Sequence, residues 1–210
     1  MYKYIFTTIL ACIVIALLIL YKPEYKRDKL VTYLDSFDLH NKWLPGYNVN
    51  CLSGEVLPDK STTVKTSHCS CFVYAVCKNA NIKMIGTPEY KQYNLSTNQI
   101  KWLESEKGKE VGWVEIKEDK IENKYRQSHK MANQGKLVIV GMKATSKTYG
   151  HIAIVRPSDK VDYFLVREGP QLITSSHINS YSVSLKEDFM LHNKEIKELE
   201  NNLQFFVHEF

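Results

Sequence analysis

KLVIVGMKATSKTYGHIAIVRP, residues Lys136 to Pro157, is the stretch that decides the fold. It holds two runs rich in β-branched residues, Lys136–Met142 and His151–Pro157, joined by a polar loop that contains Gly150. Runs of this kind read as core strands, and a connection this short makes them antiparallel neighbours. Downstream, DYFLVRE (162–168) and PQLITSS (170–176) are further strand candidates, and NNLQFFVHEF (201–210) is placed to close the sheet.

Upstream the pattern changes to helices. Leu30, Val31, Leu34 and Phe37 share one face of a helix over Asp28–Phe37. STNQIKWLESEKG (96–108) reads as a helix capped by Ser96 or Thr97 and stopped by Gly108, and EDKIENKYRQSHKMANQG (118–135) as one that ends at Gly135. EVGWVEI (110–116) is a short strand, and WLPGYNVNCLSGEVLPDKSTT (43–63), with its Pro-containing turns, a long loop. Helices first and an antiparallel sheet second is the α+β layout.

The 210 residues are 44% hydrophobic and 24% charged, the composition of one globular domain, here residues 26–210. The net charge of +5 suits anionic surfaces such as lipid headgroups or cell-wall polymers. The basic residues form no stripe and no nucleic-acid-binding motif is present, so no nucleic-acid partner is expected. Residues 1–25 differ in kind. Tyr4 to Tyr21 carries no charge, follows Lys3 and is closed by Lys22 and Pro23. At about 1.5 Å per residue it is just long enough to cross a bilayer core of about 30 Å. No small-x-small cleavage site follows it, which favours an uncleaved single-pass anchor over a cleaved signal of a secreted or periplasmic protein. Lys22, Lys26, Arg27 and Lys29 after the span favour a cytoplasmic body by the positive-inside rule.

The chemistry is concentrated in TSHCSCFVYAVCKNA, Thr66 to Ala80. On a helix that starts at Cys69, residues Phe72, Val73 and Val76 lie on the same stripe as Cys69, and Cys71 points elsewhere. A thiol at a helix start meets unpaired N–H groups and the positive end of the dipole, which favour thiolate. A cysteine on an apolar helix face is by itself usually a small buried hydrophobe. It becomes a candidate nucleophile when a base is available, and His151, opening its strand after Gly150, can supply one. Zinc binding by Cys51, Cys69, Cys71, Cys77 and His68 is the competing reading, weakened by a Cys-x-Cys spacing inside a helix start. A disulfide from Cys51 to Cys71 or Cys77 would leave Cys69 free. His68, His129, His177, His192 and His208 read as surface or structural residues.

HCSCFV (68–73) resembles the DCSGFV nucleophile motif of NlpC-type cell-wall peptidases, and GHIAIV (150–155) is similar to the histidine strand of the CHAP amidases. The order also matches: a helix-borne Cys, a strand preceded by Gly, then a Gly-His strand. The resemblance spans Thr66 to Pro157, with His68 where the NlpC motif has Asp. It implies a papain-like fold, a cysteine amidohydrolase or peptidase with Cys69 as nucleophile and His151 as general base, and peptidoglycan stem peptides as substrate. It implies no cofactor and no metal, and leaves room for an inhibitory protein partner. The third catalytic residue depends on strand register. A tight hairpin of HIAIVR with YFLVRE places Glu168 opposite His151 and makes it the first choice; pairing with PQLITSS instead turns to Ser176, His177 or Asn179. The oxyanion would take the Cys69 backbone N–H and one side-chain donor. Papain-like acyltransferases and protein-modifying enzymes such as deamidases or transglutaminases share this chemistry. A non-catalytic binding module, with an inert Cys69, is the reading from another class.

Overall fold

A computed structural model describes residues 6, 9, 23–58, 67–88, 95–146, 149–191 and 200–210. Among these, no helix is long and apolar enough to cross a membrane. The anchor expected over residues 1–25 lies almost wholly outside the described residues.

The architecture is α+β, built on a six-stranded antiparallel sheet. In chain order come α1 (Pro23–Asp35), α2 (Cys69–Asn79), α3 (Ser96–Glu104), α4 (Glu106–Glu110), β1 (Val114–Glu115), α5 (Ile121–Asn133), β2 (Leu137–Met142), β3 (His151–Val155), α6 (Asp162–Glu168), β4 (Gln171–Ser175), β5 (Asn179–Ser184), α7 (Leu185–Met190) and β6 (Gln204–His208). The strands lie in the order β1-β6-β2-β3-β4-β5. Val140 faces Ala153 across the central hairpin, and Ile139 faces Phe206 on its other side. The C-terminal strand therefore fills an interior position of the sheet.

Every residue of β2 and β3 is buried, because helices cover both faces. Ile139, Ile152, Ile154, Ile173 and Phe206 pack against α1, α2 and α3 on one face. Val138, Val140, Ala153, Val155 and Phe205 pack against α5, α6 and α7 on the other. Each of the Val, Ile and Phe side chains among them contributes roughly 1.5–3 kcal/mol of burial free energy. Helix α2 is apolar nearly all round, with Cys69 through Cys77 buried, as a helix clamped between sheet and loop must be.

Several expectations are corrected. Helix α1 starts earlier than Asp28, although Leu30, Leu34 and Phe37 are buried as expected. The 96–108 segment is two helices, broken at Ser105, whose hydroxyl donates to the Trp102 carbonyl and accepts from the Gly108 N–H. Gly108 lies inside α4, where a Cβ would come within 2.6 Å of the Trp102 carbonyl oxygen. DYFLVRE is a helix, α6, not a strand. Only Leu165 of that run is buried, so it lacks the alternating inward face a strand needs. Arg126 also anchors Asp162 in its first turn, with Nε and Nη2 donating at 2.7 and 3.0 Å. Strand β5 and helix α7 were not anticipated.

The 43–58 loop is held as firmly as an element. Its Trp43 is 2% exposed, donates its indole N–H to the Cys51 carbonyl and stacks over Gly54. Gly54 has φ 74°, and a Cβ there would lie 2.4 Å from the Trp43 ring. Cys51 is joined to Cys71 by a disulfide, one of the two pairings the sequence allowed, which staples this loop to α2.

Candidate active site

Cys69 is the first residue of α2 and lies on the face that meets β3. Its sulfur is met by the His151 side chain, the Ser67 hydroxyl and the backbone N–H of Ile152. The start of α2 is braced by Gln99 of α3, whose Nε2 donates to the Ser70 carbonyl at 2.9 Å and to the Ile85 carbonyl at 3.2 Å. On its outer side the fully buried ring of neighbouring His68 takes the backbone carbonyls of Tyr47 and Leu44 as partners, so the disulfide-tied loop is fastened beside the thiol.

His151, the first residue of β3, is completely buried. Its Nε2 lies 2.7 Å from Asp188 Oδ2, and the same imidazole interacts with Cys69. The Phe189 ring meets the imidazole edge-on, with centroids 4.6 Å apart, and fixes its plane. Asp188 is 1% exposed and projects from α7. The backbone can bring β3 this close to α3 only because residue 150 is Gly: a Cβ there would lie 2.8 Å from both Ser96 Oγ and Thr97 Oγ1.

The electrostatics follow from these contacts. Burial alone would push the Cys69 thiol up; the His151 charge, the hydrogen bonds of His151 and Ser67 and the Ile152 N–H outweigh it, and the net direction is down. Burial alone would pull the His151 imidazole down; the charges of Asp188 and Cys69 and the hydrogen bonds to both carry it well up instead. Both directions favour a thiolate beside an imidazolium, with Asp188 holding the ring. The other free thiol among the described residues, Cys77, is pushed far up by burial and has no activating cation in contact.

Of the residues singled out from sequence, Cys69 and His151 are brought together and Glu168 is not. Strand β3 pairs with β4, Ile154 opposite Ile173 and Val155 opposite Leu172, so Glu168 falls at the opposite end of the sheet from His151. There it ends α6 and pairs with Lys160 at 3.0 Å. Asn179 uses its amide on the carbonyls of Leu39, Lys42 and Trp43. Ser176 is buried just past the end of β4, and His177 follows it into a surface groove. His68, expected at the surface or in a structural role, is buried and structural; His192 lies outside the described residues. The cysteines proposed for zinc do not converge: Cys51 and Cys71 are bonded to each other, and no group of three or more His, Cys, Asp or Glu among the described residues is arranged to hold a metal.

Asp188 is the member that the sequence reading missed. A signal was present in LKEDFM, where Leu185, Asp188 and Phe189 fall at i, i+3 and i+4 and so put a carboxylate on the buried face of a helix. Ser67 was missed as well, although it stands inside the quoted stretch, two residues before Cys69. The scan against protein-family models and the search of curated proteins each find no match to this chain.

Proposed function

We propose that the protein is a cysteine amidohydrolase or peptidase of papain-like type, with Cys69 as nucleophile, His151 as general base and acid, and Asp188 as the group that orients and charges the imidazole. The observation that carries this reading is the continuous buried chain of contacts from the Cys69 sulfur through His151 to Asp188, 2.7 Å at its carboxylate end. A thiol, an imidazole and a carboxylate in series are costly to bury together, and nucleophilic catalysis is what such an arrangement serves.

In the reaction the Cys69 thiolate attacks the amide carbonyl carbon, forming the C–S bond and an oxyanion. N–H groups left unpaired in the first turn of α2 are the donors available to that oxyanion. The imidazolium gives its proton to the leaving nitrogen as the C–N bond breaks, leaving a thioester on Cys69 and neutral His151. His151 then takes a proton from water, whose oxygen attacks the thioester; the C–S bond breaks, the acid leaves, and the thiolate–imidazolium pair is restored.

The substrate, amide bonds of peptidoglycan stem peptides, rests on the resemblance of HCSCFV and GHIAIV to the NlpC and CHAP motifs. The Cys51–Cys71 disulfide supports a domain on the oxidising side of the membrane, where a wall hydrolase must be, against the orientation drawn from the positive charges after the apolar span. The test is alkylation of Cys69 by iodoacetamide as a function of pH, in the full chain and in its Cys69→Ser and His151→Ala variants. Reactivity that persists below neutral pH and weakens when His151 is lost is the expected result. A Cys69 that is inert, or indifferent to His151, sinks the enzyme reading and leaves a binding module.

A further inference from the structure

The two ends of the central sheet carry different surfaces. His151 pairs with Met142 at one end, where Cys69 meets the imidazole; Val155 pairs with Val138 and Leu172 at the other. Four steps of about 3.3 Å put His151 roughly 13 Å along β3 from Val155. The connection from β3 to β4 begins and ends at the Val155 end, so the 156–161 loop and helix α6 belong to the pole opposite the active site.

Helix α1 is fastened to that same pole. Arg27 Nη2 lies 2.8 Å from Asp159 Oδ1. Lys26 packs so closely on Gly135, just ahead of β2, that a Cβ on the glycine would lie 2.5 Å from Lys26 Cβ. Asp35 pairs with Arg156, directly after β3. Tyr33 donates its hydroxyl to the Val76 carbonyl, seven residues down α2 from Cys69, or about 10 Å at the rise of a helix. Only Lys22 separates the uncharged run Tyr4–Tyr21 from Pro23, the first residue of α1. A chain anchored by that run therefore meets the bilayer surface at this pole, whichever side of the membrane the domain occupies.

The same pole exposes apolar and aromatic side chains. Val161, Tyr163 and Phe164, at the start of α6, are 60%, 66% and 45% exposed, and the two rings meet edge to face with centroids 5.2 Å apart. Tyr25, in the first turn of α1, is 46% exposed. Amphipathic rings of this kind are favoured in the headgroup layer, where the ring leaves water and the hydroxyl keeps it.

We propose that the partner of this pole is the bilayer surface: Tyr25, Val161, Tyr163 and Phe164 enter the headgroup layer, and the domain stands on the membrane with Cys69 turned away from it. The inference rests on reading Tyr4–Tyr21 as an anchor. It narrows the substrate of the proposed nucleophile to amides carried in the water layer and sets aside acyl transfer to lipids.

The experiment uses the full chain in nanodiscs of phosphatidylcholine and phosphatidylglycerol. A phosphatidylcholine bearing a diazirine near its ester groups loses nitrogen on illumination, its carbene inserts into what it touches, and peptide mass mapping locates the adducts. Adducts are expected on residues 161–167 as well as on the apolar run. Those on 161–167 should be lost in Tyr163→Asp/Phe164→Asp, exposed positions at the opposite pole from Cys69, with the iodoacetamide rate of Cys69 unchanged. Orientation is read with N-iodoacetyl-phosphatidylethanolamine against its deacylated, soluble glycerophospho form; in each the Cys69 sulfur forms a C–S bond as iodide leaves. The soluble reagent should label Cys69 and the lipid-held one should not. Absence of adducts on 161–167, or labelling of Cys69 by the lipid-held reagent, overturns the docking face and leaves the nucleophile standing. Absence of adducts on the apolar run overturns the anchor and the docking together. A Cys69 inert to every iodoacetyl reagent overturns the catalytic reading, while the adducts on 161–167 still decide the docking face.

Discussion

Asp188 Oδ2 lies 2.7 Å from His151 Nε2, both groups being sealed from solvent, although 37 residues separate them in the chain. A buried carboxylate so placed keeps the imidazole charged and turned toward Cys69, because an unpaired imidazolium would not survive at that depth. Replacing Asp188 by Asn keeps the shape and removes the charge. The variant should fold, and iodoacetamide labelling of Cys69 at pH 6 should slow by roughly tenfold or more as the thiolate loses its cation. A labelling rate equal to that of the parent protein would remove Asp188 from the site.

Glu168→Gln should behave oppositely. Glu168 pairs with Lys160 at the far end of the sheet, with 37% of its side chain exposed. Loss of such a partly exposed pair costs less than about 1 kcal/mol, and the pH profile of Cys69 labelling should not move. Parallel measurement of the two variants separates the carboxylate that touches the imidazole from the one that strand register had nominated.

That nomination failed for a local reason. The central hairpin, the Cys69 helix and the Gly150-His151 junction were legible because burial, helix-start chemistry and β-branching are written in adjacent residues. Which carboxylate meets His151 depends on whether 162–168 is strand or helix. That choice turns on tertiary contacts, Arg126 with Asp162 and Leu165 with the core, which no window of sequence contains. Helix α7 is only six residues long, too short for its period to stand out. The disulfide was foreseen as one of two pairings, since loop geometry alone chooses between Cys71 and Cys77.

The pH dependence of stability carries the signature of the thiolate–imidazolium pair. The folded value of His151 is raised, so its contribution is complete below the unfolded value of about 6.5 and is lost as pH rises through the folded one. The folded value of Cys69 is lowered, so its contribution is present above the unfolded value of about 8.5 and is lost as pH falls through the folded one. For the pair together, the folded and unfolded chains bind the same number of protons between about pH 6.5 and 8.5. Cys69→Ser removes the thiol's share alone and leaves Asp188 to charge His151, so the stability difference between the parent protein and this variant, from urea denaturation, should fall as pH drops below about 8.5 and be flat above it. A difference that stays flat through neutral pH would mean that Cys69 is not a thiolate in the folded protein.

The Cys51–Cys71 bond closes a loop over a sequence separation of 20, for which chain entropy predicts about 3 kcal/mol. Cys51→Ser/Cys71→Ser should lower Tm by roughly 6–12 °C at the usual dependence for a chain of this length. The same loop carries the carbonyls that hold His68 beside Cys69, so labelling of Cys69 should also slow. Reductant added to the parent protein should reproduce both effects, and a protein with unchanged Tm under strong reductant would show that the loop does not depend on the bond.

Gly150→Ala tests how finely His151 must be placed. The new Cβ would lie 2.8 Å from Ser96 Oγ and Thr97 Oγ1 and 3.0 Å from the Ala144 nitrogen, so the start of β3 has to move away from α3. Thr97 Oγ1 already accepts from the Ala144 N–H at 2.9 Å, which leaves that wall little freedom to give way. His151 is the next residue, and its bond to Asp188 and its approach to Cys69 would both be displaced. Misplacement of a catalytic group by about 1 Å costs on the order of a hundredfold in rate. The sheet itself is held by the β2–β3 ladder and should persist. The expected outcome is a large loss of Cys69 labelling at pH 6 with a cooperative thermal transition retained. Undiminished labelling would show that α3 yields instead of β3, and that the glycine is not what sets the position of the histidine.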